Sequence, residues 1–361
     1  MKSKRLPLLP LVVSALMLGL TGCGGDGETS TDGPVTWQMV RDGAVTRTNP
    51  DTGVTWTIQG IRTDGGDQLR AKQNAEDALS AHPDLIGMVG LWQYNPPAIL
   101  QAVEARGVGD QVNVIGFDEH ELTLQAIADG DCVGTIVQNP YEFGFRSVEY
   151  LSATIRGQDP DVPENKLMFV PTRKITADNV AAFQAEVKAI LAGNGPTPEY
   201  DADKYDTSKK VTMHFVTNLT NPFWDFSDYG CQRAAEKFNA QVEFYQPPNG
   251  QISEQKSRVE SMIVNNVDGL AISVKEPTGQ TTDINAWCKD LKVITVDSDA
   301  PDSDRLYYIG TDNVAAGKQA GELLAAAAPE GGKVMIFVGD LTQANANERA
   351  QGVINALLGQ D

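Results

Sequence analysis

The chain has 361 residues, of which 41% are hydrophobic and 21% are charged. This composition is typical of a globular protein, and the length gives room for two domains of ordinary size. The formal net charge of −19 argues against nucleic acid or an anionic membrane surface as a partner, because both attract basic patches. Any membrane attachment therefore has to come from a separate segment.

The first 23 residues have the pattern of an export signal. Basic residues precede an apolar run at 6–20, which is too short and wrongly flanked for a membrane-spanning helix. The run is followed by Thr-Gly-Cys23, and Leu20 to Cys23 resembles the bacterial lipoprotein signal, in which the cysteine is lipidated and becomes the mature N-terminus. An ordinary signal peptide with a chance cysteine is the alternative. Residues 24–53 are expected to be a polar tether and an unassigned segment, in which two short strands around Asn49 are possible.

Strand and helix patterns alternate through the rest of the chain. Before residue 193, strand patterns lie at 54–61, 85–91, 111–117, 133–138 and 166–171, and helix patterns at 68–81, 97–106, 121–128, 141–156 and 177–192. A linker rich in proline, glycine and acids follows at 193–210. Beyond it, strand patterns lie at 211–217, 241–246, 269–274, 292–297 and 333–338, and helix patterns at 222–239, 253–265, 281–291, 313–327 and after 338. Such repeats predict α/β domains built on parallel sheets with helices on both faces.

Polar and aromatic residues follow several of the predicted strands. Doubly wound folds bind ligands outside the carboxyl ends of their strands, so these residues are candidates for a cleft. Carboxylates, amides, a guanidinium and aromatic rings together suit a sugar, whose hydroxyls donate and accept and whose C–H faces pack on rings. The candidates are Asn221, Phe223, Trp224, Asp297, Ser298, Trp92, Asp118, Gln138, Asn347 and Arg349. Helix capping by the aspartates, packing of Trp224 within a domain and a surface ion pair of Arg349 are the structural alternatives.

Four segments between residues 217 and 352 resemble parts of the N-terminal half of type I periplasmic sugar-binding proteins of the ribose-binding group. They are TNLTNPFW at 217–224, VITVDSD at 293–299, YIGTDN at 308–313 and NERAQG at 347–352. Residues 54–192 resemble that family's C-terminal half through NAEDAL at 74–79, VIGFD at 114–118 and TIVQNP at 135–140. The two halves stand in swapped order. A circular permutation explains this, and an assembly error that rotated two fragments is the alternative.

The resemblance implies two doubly wound parallel-sheet lobes joined by a three-strand hinge. The family's N-terminal half is 209–361, and its C-terminal half is 54–192. Lobe one would then comprise 209–311 and 139–165, and lobe two 312–361, 54–138 and 171–192, with 193–210 joining the family's usual ends. In that topology the helices that carry Cys231 and Cys288 lie on opposite faces of a sheet. We therefore expect both to be free thiols.

The resemblance also implies a function. The chain would be an exported lipoprotein, anchored through Cys23, that captures a sugar and delivers it to an ABC importer made of a permease and an ATPase. It would be a monomer without metal or cofactor. The sequence lacks the usual nucleophile, phosphate-binding and zinc-protease motifs, which argues against an enzyme. A receptor that presents the closed shape to a membrane kinase or chemoreceptor is the alternative, and a fold that has lost its ligand is a further one.

Three positions depart from the ribose-binding pattern. Ser298 stands where ribose binders carry an arginine, Gly66 where they carry a stacking aromatic, and Trp92 where they carry an asparagine. The resemblance therefore implies a rebuilt pocket, for a monosaccharide, disaccharide, polyol or related polar ligand rather than ribose itself.

Overall fold

The computed structural model describes residues 33–361. The predicted export signal, Cys23 and the first part of the tether lie outside this range. Residues 35–361 form one unit. Within the described range, no helix combines the length and the apolar character needed to cross a membrane.

Two sheets organise the described residues. The strands are β1 (Val45–Thr48), β2 (Thr55–Thr63), β3 (Leu85–Gly90), β4 (Asn113–Phe117), β5 (Gly134–Val137), β6 (Leu167–Phe169), β7 (Arg173–Ile175), β8 (Val211–Val216), β9 (Ala240–Tyr245), β10 (Gly269–Ile272), β11 (Lys292–Val296), β12 (Tyr308–Gly310) and β13 (Gly332–Val338). One sheet has the order β1-β2-β13-β3-β4-β5-β7 and the other β6-β12-β11-β10-β8-β9. Both are flanked by helices, which confirms the predicted α/β class.

The helices fill the connections between these strands. They are α1 (Trp37–Asp42), α2 (Gln68–Ala81), α3 (Asn95–Arg106), α4 (Glu121–Asp129), α5 (Pro140–Ile155), α6 (Val180–Leu191), α7 (Pro222–Lys237), α8 (Ile252–Val264), α9 (Pro277–Trp287), α10 (Asn313–Ala327) and α11 (Ala344–Leu358). The predicted helices are confirmed, and the largest shift is that of α9, which begins four residues before its predicted start. Pro277 explains this start, since proline fits the first helical turn.

The predicted parallel-sheet lobes are confirmed, with one antiparallel strand added at each edge of the seven-stranded sheet. β1 pairs antiparallel with β2, and β7 pairs antiparallel with β5. The first pair is a hairpin across Asn49, whose connection is too short for a parallel crossover. In the second pair, the chain crosses from β6 in the six-stranded sheet to β7, which runs antiparallel to β5 in the seven-stranded sheet. The sequence also gave no sign of α1, which Thr36 caps through its hydroxyl.

Helices α10 and α11 pack closely because glycines leave room at their contact. A Cβ on Gly317 would collide with the carbonyl oxygen of Arg349, and one on Gly352 would collide with that of Val314. Arg349 is only 2% exposed as a result of this packing. The small residues in α10 therefore fix the position of a candidate site residue in α11.

The chain passes between the two sheets at three points. We call the six-stranded sheet with α5 and α7–α9 lobe one, and the seven-stranded sheet with the remaining helices lobe two. The crossings lie between β5 and α5, between β6 and β7, and between β12 and α10. At two of them the chains touch, because Thr311 Oγ1 donates to Gln138 Oε1 over 2.9 Å in a buried position. The crossings form a hinge of the kind that allows lobes to close on a ligand.

The segment 193–210 lies on lobe one. Tyr200 packs against Phe145 and Phe238, with ring centroids 5.7 and 5.3 Å apart, and Tyr205 is buried in the same core. Lys204 forms an ion pair of 2.8 Å with Asp161. These contacts show that aromatic side chains hold the segment in place.

The cysteines in the described range are not cross-linked. Cys132 and Cys231 are buried, Cys288 is half-buried, and all three are free. The prediction of free thiols at Cys231 and Cys288 is confirmed. Burial raises the pKa of the Cys288 thiol to about 11, which keeps it protonated at neutral pH.

Candidate ligand-binding site

A cavity of about 140 Å³ lies between the lobes, at the carboxyl ends of β3, β4, β8 and β11. We call it the inner cavity. Its lining is Trp92, Gln93, Tyr94, Asp118, Gln138, Asn218, Leu219, Asn221, Phe223, Trp224, Asp297, Gln343, Asn345 and Arg349. Eight of the ten predicted ligand residues are in this set, and both lobes contribute to it.

Two aspartates face the inner cavity from opposite lobes. Asp118 follows β4 in lobe two, and Asp297 follows β11 in lobe one. Both have left-handed backbone, with φ of 64° and 63°. Such a conformation costs about 1–3 kcal/mol for a residue other than glycine and tends to occur at functional sites. Each lobe therefore places one carboxylate at the cavity from a residue with strained backbone.

Burial dominates the electrostatics of both carboxyl groups. It raises the pKa of Asp297 to about 6, while Arg349 opposes the rise and Asp118 adds to it. The pKa of Asp118 is also raised by burial, against Arg349 and a hydrogen bond from Gln138. The site therefore holds two acids that are costly to ionise until another partner approaches them.

Arg349 supplies the positive charge of the site. Its guanidinium donates from Nε to Asn313 Oδ1 over 3.0 Å and from Nη1 to the Leu91 carbonyl over 3.1 Å. It also lies over the Phe117 ring, 4.1 Å from the centroid. These contacts position the guanidinium without engaging either aspartate, so the charges of Asp118 and Asp297 act on it through space.

Gln138 connects the site to the hinge. Its Nε2 donates to Asp118 Oδ1 over 3.0 Å, and its Oε1 accepts the hydroxyl of Thr311. Both ends of this amide are therefore used, and both partners are buried or nearly so. A change in the hinge angle that moves Thr311 would act on the carboxylate of Asp118 through a single side chain.

Trp92 and Asn345 bring unsatisfied polar atoms to the cavity. Trp92 Nε1 and Asn345 Oδ1 are buried and have no hydrogen-bond partner among the described residues. Gly339 makes room for the Trp92 ring, since a Cβ there would collide with the ring. An unpartnered buried donor or acceptor costs about 1–3 kcal/mol, and a polar ligand would remove that cost.

The aromatic residues of lobe one serve the core as well as the cavity. Trp224 is 2% exposed, packs edge-on against Phe215 and Phe223, and donates from Nε1 to Asn218 Oδ1 over 3.2 Å. Asn221 caps α7, with Oδ1 accepting from the backbone N–H of Phe223 over 3.0 Å. Trp224 and Asn221 therefore line the cavity with side chains whose positions are fixed by packing and hydrogen bonds.

Two predicted residues lie away from the inner cavity. Asn347 donates through Nδ2 to the carbonyls of Leu341 and Gln343 over 3.3 and 3.2 Å, so its amide holds the loop before α11. Its neighbour Asn345 takes the place in the cavity that the sequence assigned to Asn347. Ser298 lies beyond Asp297, in an adjoining cavity. Asparagine side chains often bond to nearby backbone groups in this way, which explains why Asn347 does not reach the cavity.

The sequence analysis missed several residues of the site. Tyr94 and Gln93 line the cavity, and Tyr94 donates its hydroxyl to Asp64 Oδ1 in a short contact. Asn95 Nδ2 donates to the other oxygen of Asp64 over 2.9 Å. Gln93 and Tyr94 lie between the end of β3 and the start of α3, so the rule that residues after a strand face a cleft, which found Trp92, could also have found them. Asp64 directly follows β2, so it too could have been predicted as a polar residue at a strand end.

The model of the periplasmic binding protein domain family matches residues 38–159 and 213–360. The ribose import binding protein of Escherichia coli (strain K12) is 30% identical over 154 residues, or 42% of this chain and 51% of that protein. That of Salmonella typhimurium is 29% identical over 152 residues, with the same two shares. The chain thus spans about half the length of the curated relatives it matches.

A solved structure shows a similar partial match. An ABC transporter solute binding protein from Burkholderia graminis, in complex with D-arabinose, is 33% identical, covers 45% of this chain and 54% of its own, and has a TM-score of 0.39. The family model covers far more of the chain than these relatives do, in two blocks separated by residues 160–212, which include the linker. The chain therefore belongs to the periplasmic binding protein domain family, in the type I group that includes the ribose-binding proteins.

Proposed function

We propose that this protein captures a sugar in the inner cavity and delivers it to an ABC importer. The observation that carries the proposal is that Asp118 and Asp297, from opposite lobes, face Arg349 in one cavity. A ligand with several hydroxyls can donate to both carboxylates and accept from the guanidinium. Such a ligand stabilises the closed arrangement of the lobes.

The hydrogen bonds of the two carboxylates are incomplete. Asp118 accepts one bond from Gln138, and Asp297 accepts from Ser273 Oγ over a long 3.4 Å. An ionised carboxylate has about four acceptor positions, so sugar hydroxyls can fill those that remain. At about 1.5–3 kcal/mol for each bond to a charged group, three such groups approach the roughly −8 kcal/mol of a micromolar complex.

The size of the inner cavity favours one sugar ring. Its 140 Å³ is small beside the roughly 300–1,000 Å³ typical of sites for drug-sized ligands. Trp92 provides an aromatic face and a free N–H donor, at a position where ribose binders carry an asparagine. The ligand is therefore a sugar with a different hydroxyl pattern from ribose.

Export and anchoring follow from the N-terminal pattern. The basic start, the apolar run and the segment ending in Cys23 support a lipoprotein that is held at the membrane by its lipid and faces the periplasm or the cell exterior. An importer's permease and ATPase are the partners that this placement suits. We expect the folded body to be a monomer in solution.

Circular permutation accounts for the order of the two halves. The start and the end of the folded part lie together, since Val35 N–H donates to Gln360 Oε1 over 2.9 Å and Asn49 Nδ2 donates to the Leu357 carbonyl over 3.1 Å. In addition, β13 near the C-terminus pairs between β2 and β3. Both observations support new termini opened in lobe two, with 193–210 joining the old ones.

A thermal-shift screen tests the proposal. The chain without its first 23 residues is screened against pentoses, hexoses, polyols and disaccharides, beside Asp118→Asn and Asp297→Asn, with Asp110→Asn, at an exposed turn residue that lines neither the inner nor the adjoining cavity, as the control. A ligand at a hundredfold excess over its Kd stabilises by about 2.7 kcal/mol. We expect a rise in Tm for one sugar class that both site variants lose and the control keeps. A cooperative transition that no sugar shifts would contradict the proposal.

A further inference from the structure

A second cavity, of about 480 Å³, adjoins the inner cavity and lies along the hinge. We call it the outer cavity. Asp297 and Asn345 line both, so these two side chains form the boundary between them. Lobe one contributes β6, β12, the start of α9 and the loop at 297–302, and lobe two contributes the starts of α10 and α11. The outer cavity is therefore also enclosed by both lobes.

The outer cavity offers an aromatic and aliphatic surface. Phe169, the last residue of β6, is 46% exposed there, and its ring stands edge-on to Tyr308 with centroids 6.4 Å apart. Val314 at the start of α10 is 38% exposed on the opposite lobe. Leu167, Pro277 and Pro301 also belong to the apolar part. A ring with C–H faces, such as a sugar, packs on a surface of this type.

The charged residues around the outer cavity are acids. Asp302, Asp312 and Glu348 line it, and among the residues that the structure describes no lysine or arginine does. Asp299 also borders it, but its carboxylate is held by a two-point ion pair with Arg305 at 2.5 Å. The remaining carboxylates can accept from hydroxyls and repel an anion. A neutral ring therefore fits, and a uronic acid or sugar phosphate does not.

The boundary between the cavities has hydrogen-bond acceptors that a ligand in either cavity can reach. Asn345 Oδ1 is buried without a partner among the described residues, and Asp297 keeps free acceptor positions. The inner cavity holds one ring, and the outer cavity has more than three times its volume. We propose that the ligand is a neutral disaccharide, with one ring in the inner cavity and the second on Phe169 in the outer cavity.

This inference rests on the proposed function, since it assumes that a sugar occupies the inner cavity. The test is isothermal titration calorimetry on the full chain, kept soluble in a detergent without a sugar headgroup. The probes are D-glucose, D-galactose and D-xylose, each beside its β-1,4-linked or α-linked disaccharides. For the matching pair, we expect the disaccharide to bind about tenfold more tightly than the monosaccharide.

Two variants address the outer cavity alone. Phe169→Ala removes the aromatic surface, and Ala344→Trp adds bulk at an exposed position of its lining. Each is expected to weaken the disaccharide about tenfold and to change monosaccharide affinity less than twofold. Leu69→Ala, at a residue that is 67% exposed on α2, is the matched control and should change neither.

The outcomes separate the two proposals. If the monosaccharide binds as tightly as its disaccharides, or if the variants weaken both probes equally, the disaccharide inference is wrong and the proposed sugar site stands. If no sugar binds to the unaltered chain, both proposals fail.

Discussion

Replacing Asp297 with asparagine should stabilise the free protein and abolish sugar binding. Burial raises the pKa of Asp297 to about 6 from an ordinary value of 3.8, although Arg349 opposes the rise. The folded protein therefore binds the proton more tightly than the unfolded chain does. Stability is highest when the carboxyl is protonated, and it falls as the pH rises from about 4 through 6.

The size of the effect follows from the difference in pKa. A difference of about two corresponds to roughly 3 kcal/mol at about 1.36 kcal/mol per unit. Asparagine has nearly the same shape and no charge, so it removes this cost. We expect Asp297→Asn to raise the free energy of unfolding by up to about 3 kcal/mol at pH 8. At pH 3.5, where the native carboxyl is protonated as well, the gain should disappear.

Urea unfolding of both proteins at pH 3.5 and pH 8 measures this difference. Asp110→Asn, at an exposed turn residue outside both cavities, is the control, and its effect should be small at both pH values. The same samples are titrated with the sugar found in the screen, and binding should be lost in Asp297→Asn only. If Asp297→Asn is less stable than the native protein at pH 8, or if its effect is equal at both pH values, the argument from burial is refuted.

Three further predictions concern the hinge, the helix packing and the thiols. Gln138→Leu leaves Asp118 without its amide partner, so calorimetry should show sugar affinity lowered about tenfold, with stability lowered by about 1–3 kcal/mol in urea. Gly317→Ala pushes α10 away from Arg349, and it should cost about 1–3 kcal/mol of stability and weaken binding, whereas unchanged unfolding would show that the helices have space. Burial raises the pKa of the Cys231 thiol, so a chromogenic disulfide reagent should label it only after unfolding; rapid labelling of the native protein would contradict its burial.

The alternation of strands and helices could be predicted from the sequence because apolar residues recur at different spacings in helices and in strands. The helix at 68–81 has the bounds that its pattern predicts, and α10 likewise. The elements within 34–53 could not be assigned from the sequence, because α1 has only six residues and β1 only four. Elements this short bury too few side chains to show a period, and α1 is held by a hydrogen bond to α11 and β1 by pairing with β2.

The candidate site was predictable where it depends on strand ends. Asp118 and Asp297 each follow a strand, in different sheets, and the carboxyl ends of these two strands face one cavity. The confusion of Asn345 with Asn347 arose because the two are neighbours near one helix start, and only the backbone path shows which amide reaches the cavity. The Tyr94 to Asp64 contact joins residues 30 apart and has no local signal.

The central claim is that one sugar is held between the lobes by two aspartates and an arginine. A crystal structure of the protein with the tightest sugar from the screen tests it most directly. We predict ring hydroxyls within about 3.2 Å of carboxylate oxygens of Asp118 and Asp297 and of the Arg349 guanidinium. A sugar bound elsewhere, or one that contacts a single lobe, would contradict the account.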